Sequence, residues 1–145
     1  MRYKAKRGIG VPVKVAGAEI NRLIKLRGDS ITPAQIVKAA KKKSSPIHNC
    51  FTWNDTEAAK KCRLLEARYL LRMVTVVYEE NKKTYTTRAF VTTNDRQYRT
   101  IESVLSDDEL REELLEQAKA DLKAFRDKYR QLNELAAIFE AIDKL

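Results

Sequence analysis

Apolar positions recur at helical spacing over four stretches of the chain and follow a strand-like pattern over two. The first helix is predicted over 16–27, where Ile20, Leu23 and Ile24 share a face and Gly28 stands at the C-terminal cap. Thr32-Pro33-Ala34-Gln35 opens the second. Thr32 can accept from the backbone, Pro33 suits the first helical position, and Gln35 completes a capping box. Ile36, Val37, Ala39 and Ala40 form its inner face, and Lys41-Lys42-Lys43 end it at about residue 43, where cations suit the helix dipole. The loop 44–53 (SSPIHNCFTW) is too apolar to be merely solvated, so Ile47, Phe51 and Trp53 are expected to tuck back onto the core. Asn54 then caps a third helix running to about Arg72, with Glu57 at the capping-box position. Ala58, Cys62, Leu65, Tyr69 and Met73 make its first face, with Leu64 and Leu71 roughly opposite and Leu70 on a third side. A helix apolar on several sides is buried on several sides, and this one is expected at the centre of the fold.

The runs MVTVVY (73–78) and TYTTRAFVT (84–92) are rich in β-branched and aromatic residues, and the polar EENKK between them marks a β-hairpin that Thr93-Asn94-Asp95 closes. Ser106-Asp107-Asp108-Glu109 reads as a further capping box. Beyond it Ala118, Leu122, Phe125, Tyr129, Leu132, Ala136 and Phe139 fall at alternating intervals of 4 and 3, a heptad-like seam without Gly or Pro. It predicts a long helix that packs along its own domain, pairs with another chain, or folds back at Asn133. The fold expected is α+β and mostly α: three N-terminal helices, a two-stranded hairpin and a long C-terminal helical segment. Residues 1–15, punctuated by Gly8, Gly10 and Pro12 and extended near VPVKV, are read as a mobile basic arm. Residues 16–105 form the core, and 106–145 an acidic, heptad-like oligomerisation element through Leu122, Phe125, Tyr129, Leu132 and Phe139.

Length and composition narrow this further. At 145 residues with 43% hydrophobic content, 4 Gly and 3 Pro, the chain is one compact domain with at most a helical appendage, and not a disordered sequence. No apolar run approaches the ~20 residues of a membrane span, and the start MRYKAKRGIG lacks the apolar stretch of a secretory signal. Two cysteines make no disulfide framework, so a cytoplasmic setting is expected. Charge is unevenly placed. Residues 1–50 hold 12 Lys and Arg against 2 Asp and Glu, residues 51–100 hold 10 against 6, and residues 101–145 hold 7 against 12. A basic front half attracts polyanions whatever the fold beneath it.

Candidate chemistry is thin by comparison. His48, Cys50 and Cys62 are the soft ligands, too few and too widely spaced for a structural zinc site, and both cysteines read more simply as small buried hydrophobes. A Cys62 nucleophile with His48 as base is disfavoured on an inward helix face. The acidic run 107–116 has an ordinary cause in the helix dipole, and GIG at 8–10 lacks the Lys-Ser/Thr and the strand-to-helix frame of a phosphate loop. No catalytic residue, metal or cofactor is assigned. The basic residues are the better candidates for phosphate contact: Lys4, Lys6 and Arg7 on the arm, and Lys38, Lys41, Lys42 and Lys43 on the second helix. Lys60 and Lys61 follow on the third helix, which also carries Arg63, Arg68 and Arg72, and Lys82 and Lys83 stand at the hairpin tip. Three helices followed by a hairpin is the element order of a winged helix, but the ten-residue loop and a buried third helix favour phosphate gripping over base readout. Tyr3 and Tyr85 could stack on bases of a single strand. His48 and Trp53 are read as loop residues that pack and hydrogen-bond locally.

Ser45, Pro46, His48, Phe51, Trp53, Asp55, Ala58, Ala59, Arg63, Ala67 and Arg68 form a Ser-Pro-x-His, Trp-Asn/Asp-Asp, Ala-Ala, Arg, Ala-Arg pattern. It resembles a segment of small phage and prophage proteins of undetermined role. TRAFV and YRTIESVLSDDELREELL are similar to the same proteins, so the likeness would cover 16–145. The resemblance implies a phage or prophage setting and one coherent fold, and brings no catalytic residues; Cys50 and Cys62 fall outside the pattern.

The expectation is a non-enzymatic, oligomeric accessory protein that grips nucleic acid, DNA foremost, in the bacterial cytoplasm. The alternative is a protein-interaction module, virion-associated or an adaptor, that works through the acidic C-terminal helix while the basic half docks on an acidic protein partner.

Overall fold

A computed structural model describes residues 2–5, 8–53 and 56–145. The fold is α+β and mostly α, as the hydrophobic pattern predicts. The chain divides into two compact units, Met1–Ser103 and Val104–Leu145.

The first unit runs β1 (Tyr3–Ala5), α1 (Val13–Leu26), α2 (Pro33–Ala40), a 3-10 turn at His48–Cys50, α3 (Glu57–Met73), β2 (Val74–Glu80), β3 (Lys83–Arg88), β4 (Phe90–Thr92) and β5 (Tyr98–Thr100). The predicted hairpin is β2 and β3, paired antiparallel from Thr75 opposite Arg88 to Glu80 opposite Lys83. Asn81 and Lys82 join them with φ of 50° and 61°, the left-handed pair that a two-residue hairpin loop requires.

Three parts of the sequence reading need correction here. The described residues of 1–15 are not a free arm: Tyr3–Ala5 pair with Val74–Val76 to complete a sheet in the order β1-β2-β3. VPVKV is not extended either. Pro12 holds φ at −56°, its carbonyl accepts from Val15 and Ala16, and the helix starts at Val13. The run 84–92 is also two strands. The chain leaves the first sheet at Ala89, and Phe90–Thr92 pairs with Tyr98–Thr100 in a second antiparallel pair closed by the 93–97 turn. Ala89, Phe90 and Val91 are all buried in succession, which one half-exposed strand cannot achieve because its side chains alternate between faces.

Helix α1 buries Ala16, Ile20, Leu23 and Ile24 and ends as predicted, with Gly28 at φ 77° and the Asp29 amide donating back to the Ile24 carbonyl. Tyr3 packs closely on α1, where a Cβ at Gly17 would fall on its ring, and stacks on Phe90 at 6.4 Å. Helix α3 buries Leu70 and Leu71, on two of the sides predicted, but not the predicted first face. Ala59, Arg63, Ala67, Leu70 and Leu71 are buried, whereas Cys62 is exposed and Leu65 is 61% exposed. The rest of the packed surface is carried by Ala59, Ala67 and Arg63, whose weak hydrophobicity hides it in the sequence. Its cap is Thr56, whose hydroxyl accepts from the Ala59 amide; Asn54 lies outside the described residues.

Helix α4 (Ile101–Ser106) begins in the first unit and ends in the second, which continues with α5 (Asp108–Tyr129), a 3-10 turn at Asn133–Leu135 and α6 (Ala136–Asp143). Ser106 ends α4 rather than capping α5; the cap is Asp107, which accepts from the Leu110 amide at 3.0 Å. Of the arrangements open to the heptad seam, the fold-back is the one observed. The seam breaks after Tyr129, and α6 packs on α5 with the Phe125 and Phe139 rings 6.5 Å apart and Arg126 paired with Asp143. Phe139 is buried, while Leu122, Phe125, Tyr129 and Leu132 remain exposed. An unbroken helix would have left Phe139 and Ile142 in water, and folding back removes both.

Candidate nucleic-acid interface

Helices α2 and α3 pack together, and residues 48–53 of the loop between them are tied to both helices by hydrogen bonds. The capping box at the start of α2 is complete. The Gln35 amide donates to the Thr32 hydroxyl at 3.3 Å, and the Thr32 amide to the Gln35 side chain at 2.9 Å. At the other end His48 Nδ1 donates to the Ala40 carbonyl at 2.8 Å, satisfying one of the last acceptors of the helix. The Trp53 indole N–H donates to the His48 carbonyl at 2.9 Å, and the two rings stack at 5.0 Å and 9°. Thr52 donates to Glu66 of α3 through its amide (3.0 Å) and its hydroxyl (2.7 Å). Arg63 of α3 donates to the Thr52 carbonyl at 3.0 Å, and its guanidinium lies 5.3 Å from the Trp53 ring centroid. Loop and helix thus hold one another in a single arrangement.

Between them lies a groove of about 650 Å³. Ala34, Val37, Lys38 and Lys41 of α2 form one wall, Lys60, Arg63 and Leu64 of α3 the other, and Lys43, His48 and Trp53 of the loop close it. Five of these ten residues are Lys or Arg and none is Asp or Glu. Lys60 pairs with Glu57 at 2.6 Å, but both side chains are well exposed, and such a pair contributes little. The groove is therefore a concentration of positive charge over an apolar surface.

Of the predicted phosphate contacts, Lys38, Lys41, Lys43 and Lys60 come together here. Lys42 does not: it borders a separate recess with Glu19, Arg22 and Ser45. Lys61 is exposed on α3 outside the groove lining, Lys4 lies on β1, and Lys82 and Lys83 stand at the hairpin tip. Lys6 and Arg7 lie outside the described residues. Tyr85 is partly exposed but stacks on Tyr78 at 5.5 Å, and the Tyr3 hydroxyl is buried with no hydrogen-bond partner among the described residues. Sequence reasoning named Arg63 only among the basic residues of the third helix and missed His48 and Trp53 as groove residues. The one available signal was that the Ser-Pro-x-His, Trp and Arg positions occurred in a single pattern.

Elsewhere the chemistry is structural. Burial pushes the Cys50 thiol up to about 11, so it is a protonated filler at neutral pH. Among the described residues no three His, Cys, Asp or Glu side chains gather where a metal ion could be held. Asp95 accepts from Arg99, Thr93 and the Gln97 amide, and these bonds, Arg99 foremost, hold its carboxyl well below the usual range. No family model, curated protein or solved structure matches the chain. Among the described residues no helix is long and apolar enough to cross a membrane.

Proposed function

We propose that the protein is a non-enzymatic nucleic-acid-binding accessory protein whose phosphate contacts centre on the α2–α3 groove. The observation that carries this reading is the lining itself: Lys38, Lys41, Lys43, Lys60 and Arg63 share one concave surface, with no carboxylate among the described residues that line it. Lys38, Lys41 and Lys43, held close together on that surface, focus positive potential and favour a polyanion. Phosphate contacts release counterions, so affinity should fall steeply with salt. About four contacts give a log–log slope of about −3 to −4 on duplex DNA and somewhat less on a single strand. Fluorescence anisotropy of labelled oligonucleotides at about 50 and about 200 mM salt tests this. Salt-sensitive binding supports the reading, and absence of binding at the lower salt removes it. We take the setting to be phage or prophage, on the strength of the resemblance carried by residues 45–68.

A second reading has its own observation. Leu122, Phe125, Tyr129 and Leu132 are exposed on the C-terminal helical hairpin, a surface suited to self-association or to a protein partner. Sedimentation of the intact protein against a Leu122→Ser, Phe125→Ser variant tests it, and an unchanged monomer would remove it.

A further inference from the structure

We infer that the α2–α3 groove seats one unstacked nucleotide, so that the ligand of this protein is a single strand rather than a duplex. The inference rests on the nucleic-acid reading and adds to it the form of the ligand. Phosphates alone explain only half of the lining. Ala34, Val37, Leu64 and the Trp53 ring are apolar, and a groove built only for phosphate gains nothing from them. A duplex offers phosphates on a convex surface and keeps the faces of its bases stacked inside, so it would bridge the groove and leave that apolar surface unfilled. An unstacked base has two apolar faces, and its phosphate follows one sugar away. The groove presents the same pairing, an apolar bed edged by cations from both helices and the loop. At about 650 Å³ it lies within the ~300–1,000 Å³ range of cavities that enclose a small organic ligand, the size class of a nucleotide. The bed is also fixed in advance, because His48 is tied to Ala40, Trp53 to His48, and Thr52 to both Glu66 and Arg63. Little ordering remains to be done on binding.

Trp53 is the single tryptophan of the chain, which makes its emission a reporter of this groove alone. The test titrates the full-length protein with an oligothymidylate of about ten nucleotides, within the usual span of single-strand sites, with a duplex of equal length, with thymidine monophosphate and with inorganic phosphate. The expected result is saturable change of Trp53 emission by the single strand, with affinity about tenfold or more above that for the duplex. The monophosphate should displace the strand at concentrations where inorganic phosphate does not. Leu64→Gln, at a half-buried position, should weaken the single strand while leaving duplex affinity unchanged, with circular dichroism confirming the fold. If duplex binds as tightly as single strand, or binds while Trp53 emission stays constant, the single-nucleotide inference falls and phosphate gripping stands. If neither polymer binds at low salt, both fall. If polyglutamate changes Trp53 emission and nucleic acid does not, the groove is a dock for acidic protein and both readings are overturned.

Discussion

Lysines and arginines are spread over the whole chain, but their surroundings in α2–α3 and in the C-terminal helical hairpin are opposite. On α5, Lys119 pairs with Glu116 at 2.7 Å, Arg126 with Asp127 at 2.8 Å and with Asp143, and Arg130 with Asp127 at 3.5 Å. Those cations are answered within one or two turns or across the helical hairpin, and they stabilise helices. Among the described residues that line the groove between α2 and α3 there is no acid, and Lys60 pairs with Glu57 at its exposed edge. Like charges held together cost stability unless something outside the chain compensates them. Positive charge is thus structural in one region and available to a ligand in the other, which the net charge of +9 does not reveal.

The largest expected effect separates the two regions directly. Changing Lys38, Lys41 and Lys43 together to Ala should weaken oligonucleotide binding about 100-fold at low salt and reduce the salt slope by about 2 to 3. The matching change of Lys119, Lys123 and Lys128 should leave affinity within about twofold, because those side chains serve α5. Anisotropy titrations at two salt concentrations check both, and equal losses would break the contrast.

Asp95 and Arg99 show what an answered cation does in the first unit. The carboxyl is depressed in the folded state, so its stabilising contribution is present above the ordinary carboxylate range and is lost as pH falls through the folded value. Asp95→Asn should therefore lower Tm by a few degrees at pH 7. The gap to wild type should close progressively as pH drops below about 4, the ordinary aspartate range. Thermal melts from pH 7 to pH 2 follow it; a gap independent of pH would remove the charge from the account.

Lys82 sharpens the contrast from another side. It sits at φ 61° in the hairpin loop, where glycine is unstrained. Lys82→Gly should raise stability by about 0.5–1 kcal/mol in urea unfolding and leave oligonucleotide affinity nearly unchanged. Weaker binding would move the phosphate contact from the groove to the tip. The smallest effect concerns the thiols: a disulfide reagent at pH 7.5 should label exposed Cys62 promptly and Cys50 only on unfolding. Two thiols reacting at equal rates would contradict the packing of the loop.

The parts of this molecule legible in the sequence are those decided locally. The Thr32–Gln35 box, the Gly28 terminus and the β2–β3 hairpin are each set by neighbours in the chain, and each is where the pattern puts it. What was not legible depends on distant partners. Tyr3–Ala5 is a strand only because Val74–Val76 lies beside it, and three residues carry no period of their own. Which arrangement the heptad seam takes is decided by the packing of Phe139 on Phe125, through a turn after Tyr129 that contains no Gly or Pro. The site divides in the same way. The cluster Lys41-Lys42-Lys43 was visible as charge, but consecutive residues point in different directions, so Lys42 leaves for another recess. That His48 and Trp53 line the groove follows from hydrogen bonds to Ala40 and within the loop, which no spacing rule announces.

The most direct test of the central claim follows Trp53 emission and the anisotropy of a labelled single strand in the same titration at about 50 mM salt, then raises salt to about 200 mM. The account predicts that both signals change with one affinity and are reversed together by salt. Anisotropy that rises while Trp53 emission stays constant would place the nucleic acid elsewhere on the protein and contradict it.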